Sequence, residues 1–348
     1  MSLTASTLPL SQRAVFRIEK ACEWCSFKIS AYPWQSVCGF IAILFICSLV
    51  RACLSKMWLD ELYTLFVVRQ PTSAGVLSAL KAGADSTPPA FALLLRALQP
   101  VLGDGVLDLR IPGAIGICLM CVCVFAFVYR RLPAVWAFFA MLFACETTLY
   151  YATEGRPYGL SLGLSALALL CWQAAAEGRH RRIAIPVLTL SLWFATAVHY
   201  YSLILLVPLF AAEIARWRST RKLDGPIFVA LALVPLVLIP HLSLMKAQTR
   251  FVPHYWSKAS LHSLVEVYAS YIRNSGVFVV ALVVYGLLRY RSQATPSSSQ
   301  PSSNYRGVRH TLAAHEWVAV VVLTVLPIAV ILGSMLTVKA FVYRYVVW

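Results

Sequence analysis

From Ile111 to Tyr129 no residue carries a charge. A run of that length can cross the roughly 30 Å hydrocarbon layer of a bilayer as one helix. Comparable apolar runs recur near residues 35–54, 132–152, 157–176, 183–200, 201–215, 226–245, 276–290 and 317–337. Inside lipid every backbone N–H and C=O must be satisfied internally, so only helices or closed barrels can span, and runs this long select helices. Composition agrees. Of the 348 residues, 60% are hydrophobic and 13% charged, against about 25% charged in ordinary soluble domains. The fold class expected is an all-α polytopic membrane protein with nine or ten spans.

A net charge of +16 would suggest a nucleic-acid partner in a soluble chain. Here the placement of the cations argues otherwise. With the N-terminus in the cytoplasm, the inside loops hold Arg13, Arg17, Lys20, Lys28, Arg130, Arg131, "GRHRR", "RWRSTRK" and "RYRS…NYRGVRH". The turn "TEGRPY" on the other side carries one cation. This is the positive-inside bias that sets orientation. The expected partner is therefore lipid, with no nucleic acid. Residues 1–33 read as a polar, basic cytoplasmic segment without a cleavable signal, and the first span as an uncleaved anchor.

The ten cysteines do not form a strong ligand pattern. Cys118, Cys121, Cys123, Cys145 and Cys171 fall in apolar runs, where Cys acts as a small hydrophobe. The "CEWC" pair, Cys22 and Cys25, lacks a second pair and is expected to have no metal or redox role. Residues 291–316 hold a Ser/Pro/Gln-rich stretch expected to be a flexible cytoplasmic linker. Residues 34–348 form the membrane module, and the chain stops at "VKAFVYRYVVW" just as a further apolar run begins.

This topology gathers the unusual residues on one side. The first extracytoplasmic loop, 55–110, contains Asp60, Glu61 and Asp85; later turns add Glu154, Arg156, Tyr158, His199 and Tyr200 to the same face. A charged side chain at the bilayer centre costs roughly 2.5–3.5 kcal/mol, so Asp60 and Glu61 are not expected mid-span. Trp58, Leu62, Leu65 and Phe66 fall on one helical face, with Asp60, Glu61 and Thr64 off it. That pattern predicts an interfacial helix with its apolar side down. A second interfacial helix is expected over "PAFALLLRAL", capped by Thr87 with Pro88 first, and striped by Phe91, Leu94, Leu95 and Leu98. Asp85 precedes it, as a turn residue or as part of a site. Glu146, Tyr150 and Glu154 are spaced to share a face at the outer end of the third span.

The order "WLDELYT", "DSTPPAFALLLRAL", "LRIPGAIG", "YATEGRPYGL", "HYYSLILLVP" and "VYRY" resembles the GT-C membrane glycosyltransferases. The branch it is most similar to contains the protein O-mannosyltransferases and aminoarabinose transferases. The resemblance runs from Trp58 to Tyr345 and departs at three places. Thr87 stands where the family has His, Ala90 where it has Leu, and Gly155 where it has Ala. Family members also continue through more C-terminal helices, often with a soluble domain.

The resemblance implies a GT-C-like helical bundle that moves a sugar from a polyprenyl-phosphate donor to an acceptor hydroxyl, with inversion. The acceptor is a lipid, glycan or protein. The implied setting is the extracytoplasmic face of a plasma (inner) membrane. Such chemistry needs a base on the attacking hydroxyl and a cation for the leaving phosphate. Asp60 matches the family's base, and Glu61 beside it would bind acceptor or orient the loop. Two adjacent acids would also raise the pKa of one of them. Arg156, then Arg344, are the phosphate candidates, since guanidinium suits bidentate phosphate contact. Asp85, Glu154, Tyr158, His199, Tyr200 and Tyr345 complete the expected substrate contacts. Glu154 would hold Arg156 or a sugar hydroxyl. Asp60, Glu61, Asp85 and His199 offer ligands for a divalent metal, which the residues alone neither require nor exclude. "FVPHYW" is expected to anchor in the interfacial aromatic belt. The alternative is a transporter or flippase, in which outer acids and arginines gate a polar or lipid-linked substrate.

Overall fold

The computed structural model describes residues 10–103, 105–254, 258–269, 276 and 312–336. Among them no strand forms, and eight helical segments are long and apolar enough to cross a membrane. They cover Pro33–Leu54, Val106–Tyr129, Ala134–Ala152, Tyr158–Ala176, Arg181–Val198, Tyr200–Thr220, Gly225–Phe251 and Ala314–Leu336. Eight of the nine expected runs are thus helical, and the protein is a multi-pass helical membrane protein. The run 276–290 lies outside the described residues except at 276, as do Arg344, Tyr345 and linker residues 291–311.

Before the first span, α1 (Leu10–Ala31) is a helix that the polar composition of residues 1–33 did not announce. It leaves Trp24 and Phe27 exposed beside Lys20 and Lys28. The Lys28 ammonium lies over both Trp24 and Tyr32, at 5.7 and 5.6 Å. α2 (Pro33–Leu54) begins on Pro33, whose fixed φ suits a first helical position.

Three short helices fill the first loop. α3 (Leu59–Val68) separates its faces in part as the spacing predicts, with Leu62 and Phe66 outward but Leu65 packed against the core. Glu61, Thr64, Val67 and Val68 are buried, while Leu59, Leu62, Tyr63 and Phe66 point outward. α4 (Ser73–Lys81) was not expected; it starts where the Thr72 hydroxyl accepts the Gly75 N–H at 3.0 Å. α5 (Pro89–Leu102) begins one residue later than Thr87 would allow, with Pro88 in the cap position. Of its apolar stripe, Phe91 and Leu95 pack with Val67, Val76, Leu80 and Leu109 in one core, while Leu94 is exposed.

α6 (Val106–Tyr129) and α8 (Tyr158–Ala176) form the centre of the bundle. Their closeness is written in glycines. A methyl group at Gly159 would lie 2.7 Å from the carbonyl oxygens of Gly113 and Tyr151. One at Gly116 would collide with the Gly159 backbone, and one at Gly163 with that of Gly116. Small residues let helix backbones approach in lipid, where no hydrophobic force drives helices together. Gly116→Leu should lose about 3 kcal/mol by overpacking against immovable backbone. Gly39→Leu, whose Cβ would meet nothing within 4 Å, should lose almost none. Unfolding titrations with a denaturing detergent would measure both.

α7 (Ala134–Thr148) ends before the 3-10 turn Leu149–Ala152, and that turn breaks the expected Glu146–Tyr150–Glu154 face. Glu146 and Tyr150 are exposed, and Glu154 is buried. The remaining elements are α9 (Arg181–Val198), α10 (Leu206–Thr220), α11 (Gly225–Ala232), α12 (Leu242–Gln248) and α13 (Ala314–Leu336).

At the end carrying the α6–α7 turn, the basic loops are not merely topological. Arg131 grips buried Glu316 of α13 through two N–H groups at 2.8 and 2.7 Å, and Gln173 donates to it at 3.0 Å. Nearby, Asp224 pairs with Arg181 and Arg216 at 2.6 and 2.7 Å. Burial opposes its charge, but those arginines outweigh it and hold the carboxyl at about 2. The Trp172 indole N–H donates to Glu213 at 2.7 Å. Basic turns set orientation in the sequence; in the fold they also tie α7, α8, α9, α10 and α13 through buried acids.

Candidate functional site

At the opposite end, two ion pairs join the first loop to the bundle. The first is Glu61–Arg110. Arg110 Nε and Nη2 donate to the two Glu61 oxygens at 2.8 and 2.7 Å, and both side chains are almost fully buried. Arg110 Nη1 donates to the carbonyls of Ala52 and Ser55 at 2.5 and 2.9 Å, and Nη2 also reaches Lys56 O at 3.2 Å. The carbonyls at the end of α2 are negative ends of a helix dipole, a favourable place for a cation. Glu61 in turn accepts the Gly155 N–H at 2.6 Å and the Trp58 N–H at 3.2 Å.

Glu61 is therefore enclosed by donors. Burial works against its charge, but Arg110 and the Gly155 and Trp58 N–H groups outweigh it and hold the carboxyl below the usual range. The like-charge effect expected within the Asp60–Glu61 pair does not fall on Glu61, whose charge Arg110 compensates from the far side. Of the two roles expected for Glu61, orienting the loop is the one this geometry serves. The glycine at 155 also has a local reason. A methyl there would lie 3.3 Å from Glu61 Oε1 and 3.0 Å from Leu109 Cβ.

The second pair is Asp85–Arg156. Arg156 Nη1 lies 2.5 Å from Asp85 Oδ2, Nη2 lies 3.3 Å from Oδ1, and both side chains are buried. Nη1 also donates to the Thr64 hydroxyl at 2.8 Å and to the Asp60 carbonyl at 3.1 Å. Thr64 completes the link by donating to the same Asp60 carbonyl at 3.1 Å. Arg156 Nε is buried with no partner among the described residues. Burial disfavours the Arg156 charge, yet Asp85, Tyr158 and Asp60 together raise its hold on the proton.

Asp85 serves both roles left open for it. It accepts the Thr87 N–H at 3.3 Å as a turn residue, and it is the carboxylate that holds Arg156. Its loop begins at Gly83, whose φ of 89° favours glycine. The loop is then braced by Gln248, which donates to the Asp85 carbonyl at 3.1 Å. Phe251 of the "FVPHYW" motif packs over Gly83, leaving no room for a Cβ there.

Around Arg156 the ring residues converge. Tyr158 meets His199 edge-on at 5.2 Å and Tyr151 at 5.3 Å. His199 is buried, and Tyr201 lies 5.8 Å from it. Burial, reinforced by Arg156, pulls the His199 imidazole down to about 3. In the unfolded chain it takes up a proton near about 6.5, while the folded chain stays neutral. Stability should therefore fall as pH drops below that value, by about 2 kcal/mol between roughly pH 6.5 and 5. Thermal unfolding across this range should show the slope, and His199→Leu should lessen it.

The structure thus brings together Asp60, Glu61, Asp85, Arg156, Tyr158 and His199, with Glu154 buried two residues before Arg156, while Tyr200 turns toward His241, its ring 5.8 Å away. Arg344 and Tyr345 lie outside the described residues. Among the described residues no group of three or more His, Cys, Asp or Glu side chains is placed to hold a metal. All ten cysteines are free. Sequence reasoning placed Thr64 on the polar face of its helix but gave neither Thr64 nor Arg110 a place in the site. An arginine at the head of the long apolar helix α6 was the available signal, because a charge entering a span must find a partner. Compared with known proteins, the chain matches no family model, no curated protein and no solved structure.

Proposed function

We propose that this protein is a GT-C-type glycosyltransferase. It would move a sugar from a polyprenyl-phosphate carrier to an acceptor hydroxyl at the membrane face that holds Asp60 and Arg156. The observation that carries the reading is the buried Arg156 guanidinium. It reaches the Asp60 backbone and the Asp85 carboxylate, and one N–H, at Nε, remains unclaimed. A buried cation beside acids at a helix boundary is an expensive arrangement that favours a functional reading. Guanidinium also suits the charge a departing phosphate develops.

The chemistry follows from those positions. The acceptor oxygen attacks the anomeric carbon as Asp60 takes its proton. The bond from that carbon to the phosphate oxygen breaks on the opposite side, and the electron pair leaves with polyprenyl phosphate. Arg156 then balances the new phosphate charge. Asp85 would yield part of its hold on Arg156 during this step. The outward apolar face of α3 would meet the lipid carrier's tail.

The transporter reading draws on one observation. One candidate span, Gly225–Phe251, is interrupted by the 3-10 stretch Val234–His241, a second opens on Tyr200–Leu205, and broken helices are frequent in transporters. One experiment separates the two readings. Protein reconstituted in liposomes with a radiolabelled polyprenyl-phosphate sugar should form a new glycosidic bond. Flux of label across the bilayer without bond formation would establish the transporter instead.

A further inference from the structure

The two 3-10 stretches bring an unexplained polar pair together. Tyr200 opens the first, Tyr200–Leu205, and His241 closes the second, Val234–His241, which contains Pro235 and Pro240. Their rings meet at 5.8 Å and 67°. Tyr200 Oη and His241 Nδ1 are both buried, and neither has a hydrogen-bond partner among the described residues. A third such atom, Thr196 Oγ1, sits in the last turn of α9, just before Tyr200.

Buried polar groups in folded proteins are almost always hydrogen-bonded, and each exception asks for a ligand or a water. The chemistry of these groups narrows the ligand. A phenol both donates and accepts, and one imidazole nitrogen does one or the other according to tautomer. A hydroxyl group answers both. 3-10 segments often mark functional places, and the second stretch lies inside the candidate span Gly225–Phe251, where a backbone break is tolerated if it borders a site.

We propose that Tyr200 and His241 bind a ring hydroxyl of a polyhydroxylated substrate, with Thr196 as a further contact. Applied to the transferase reading, on which the identity of that substrate rests, the ring is the sugar of the lipid-linked donor or of the acceptor. His241 then joins the site from a helix that the motifs do not reach.

The test uses the full chain purified in lauryldimethylamine oxide, a detergent without a sugar headgroup. Methyl α-mannopyranoside is titrated while tryptophan fluorescence is followed. Trp193 is well placed to report, because its indole N–H donates to Leu233 O at 2.9 Å, beside the second stretch. The wild type should show saturable binding, weakened at least tenfold by Tyr200→Phe and by His241→Phe. His241→Asn, which keeps a polar atom near Nδ1, should recover most of it and guards against a folding defect. Gly39→Leu, remote from the site and with open space for its side chain, should bind as the wild type does. No saturable signal in the wild type, or unchanged binding in both phenylalanine variants, overturns the proposal.

Binding that depends on Tyr200 and His241 in a protein that transfers no sugar would keep this site and remove the transferase reading. In a transfer assay, the two phenylalanine variants should raise the KM of one substrate. A rise for the lipid-linked donor seats the donor sugar here; a rise confined to the acceptor seats the acceptor. Both KM values unchanged would overturn the site.

Discussion

Asp60→Asn should lower sugar transfer from a polyprenyl-phosphate donor at least about 1,000-fold, in the range expected on losing a general base. The substitution keeps the shape of the side chain and removes its basicity. The Asp60 backbone carbonyl, one of the ties between loop and bundle, survives the substitution. That carbonyl accepts from Arg156 and from Thr64. Donor binding should persist, since Arg156 and Asp85 are untouched. Transfer by the asparagine variant at the wild-type rate would remove Asp60 from the chemistry.

The largest effect on stability is expected at Arg110. Arg110→Met leaves the Glu61 carboxylate buried without its cation, and breaking such a pair costs about 3–5 kcal/mol. The loss extends to the carbonyls of Ala52, Ser55 and Lys56, which give up their donor. Adding Glu61→Gln to Arg110→Met should recover part of the loss, because the stranded charge is then gone. Detergent unfolding of the two singles and the double forms a cycle whose coupling should exceed about 1 kcal/mol. Additive losses would mean that Glu61 and Arg110 stabilise the fold independently. Transfer by Arg110→Met should also fall, because Glu61 and Arg110 position the turn on which Asp60 sits.

What the sequence revealed and what it hid divide along a physical line. The spans were legible because lipid tolerates little else than a long apolar helix, so the edges of α8 and α9 fall within two residues of their expected places. The polar face of α3 was legible for the same reason, through the spacing of Glu61 and Thr64. Partner choice was not. Glu61 finds Arg110 across 49 positions and Asp85 finds Arg156 across 71, and periodicity carries no signal over such separations. The acids at the other end were obscured by their neighbours. Glu213 and Glu316 lie among basic turns that the positive-inside rule already explains, so their burial against Arg216 and Arg131 added no visible anomaly. The glycines of α6 and α8 read as ordinary small residues until the two helices were side by side.

The loop before α5 shows the limits of local pattern. A cap at Thr87 was the simplest reading of "STPP", yet Asp85 accepts the Thr87 N–H and the helix starts at Pro89. Arg156 holds Asp85 within that turn, and the helix begins just after it. Tertiary ion pairs can move a helix boundary by a residue because the preference at any single cap is worth only about 1 kcal/mol.

The most direct measurement is a structure of the protein in lipid with polyprenyl phosphate bound. The account predicts the phosphate on the Arg156 guanidinium, with Nε donating to it, Asp85 partly displaced and the Asp60 carboxylate facing the position the sugar would occupy. A phosphate seated elsewhere, with Arg156 still closed on Asp85, would contradict it.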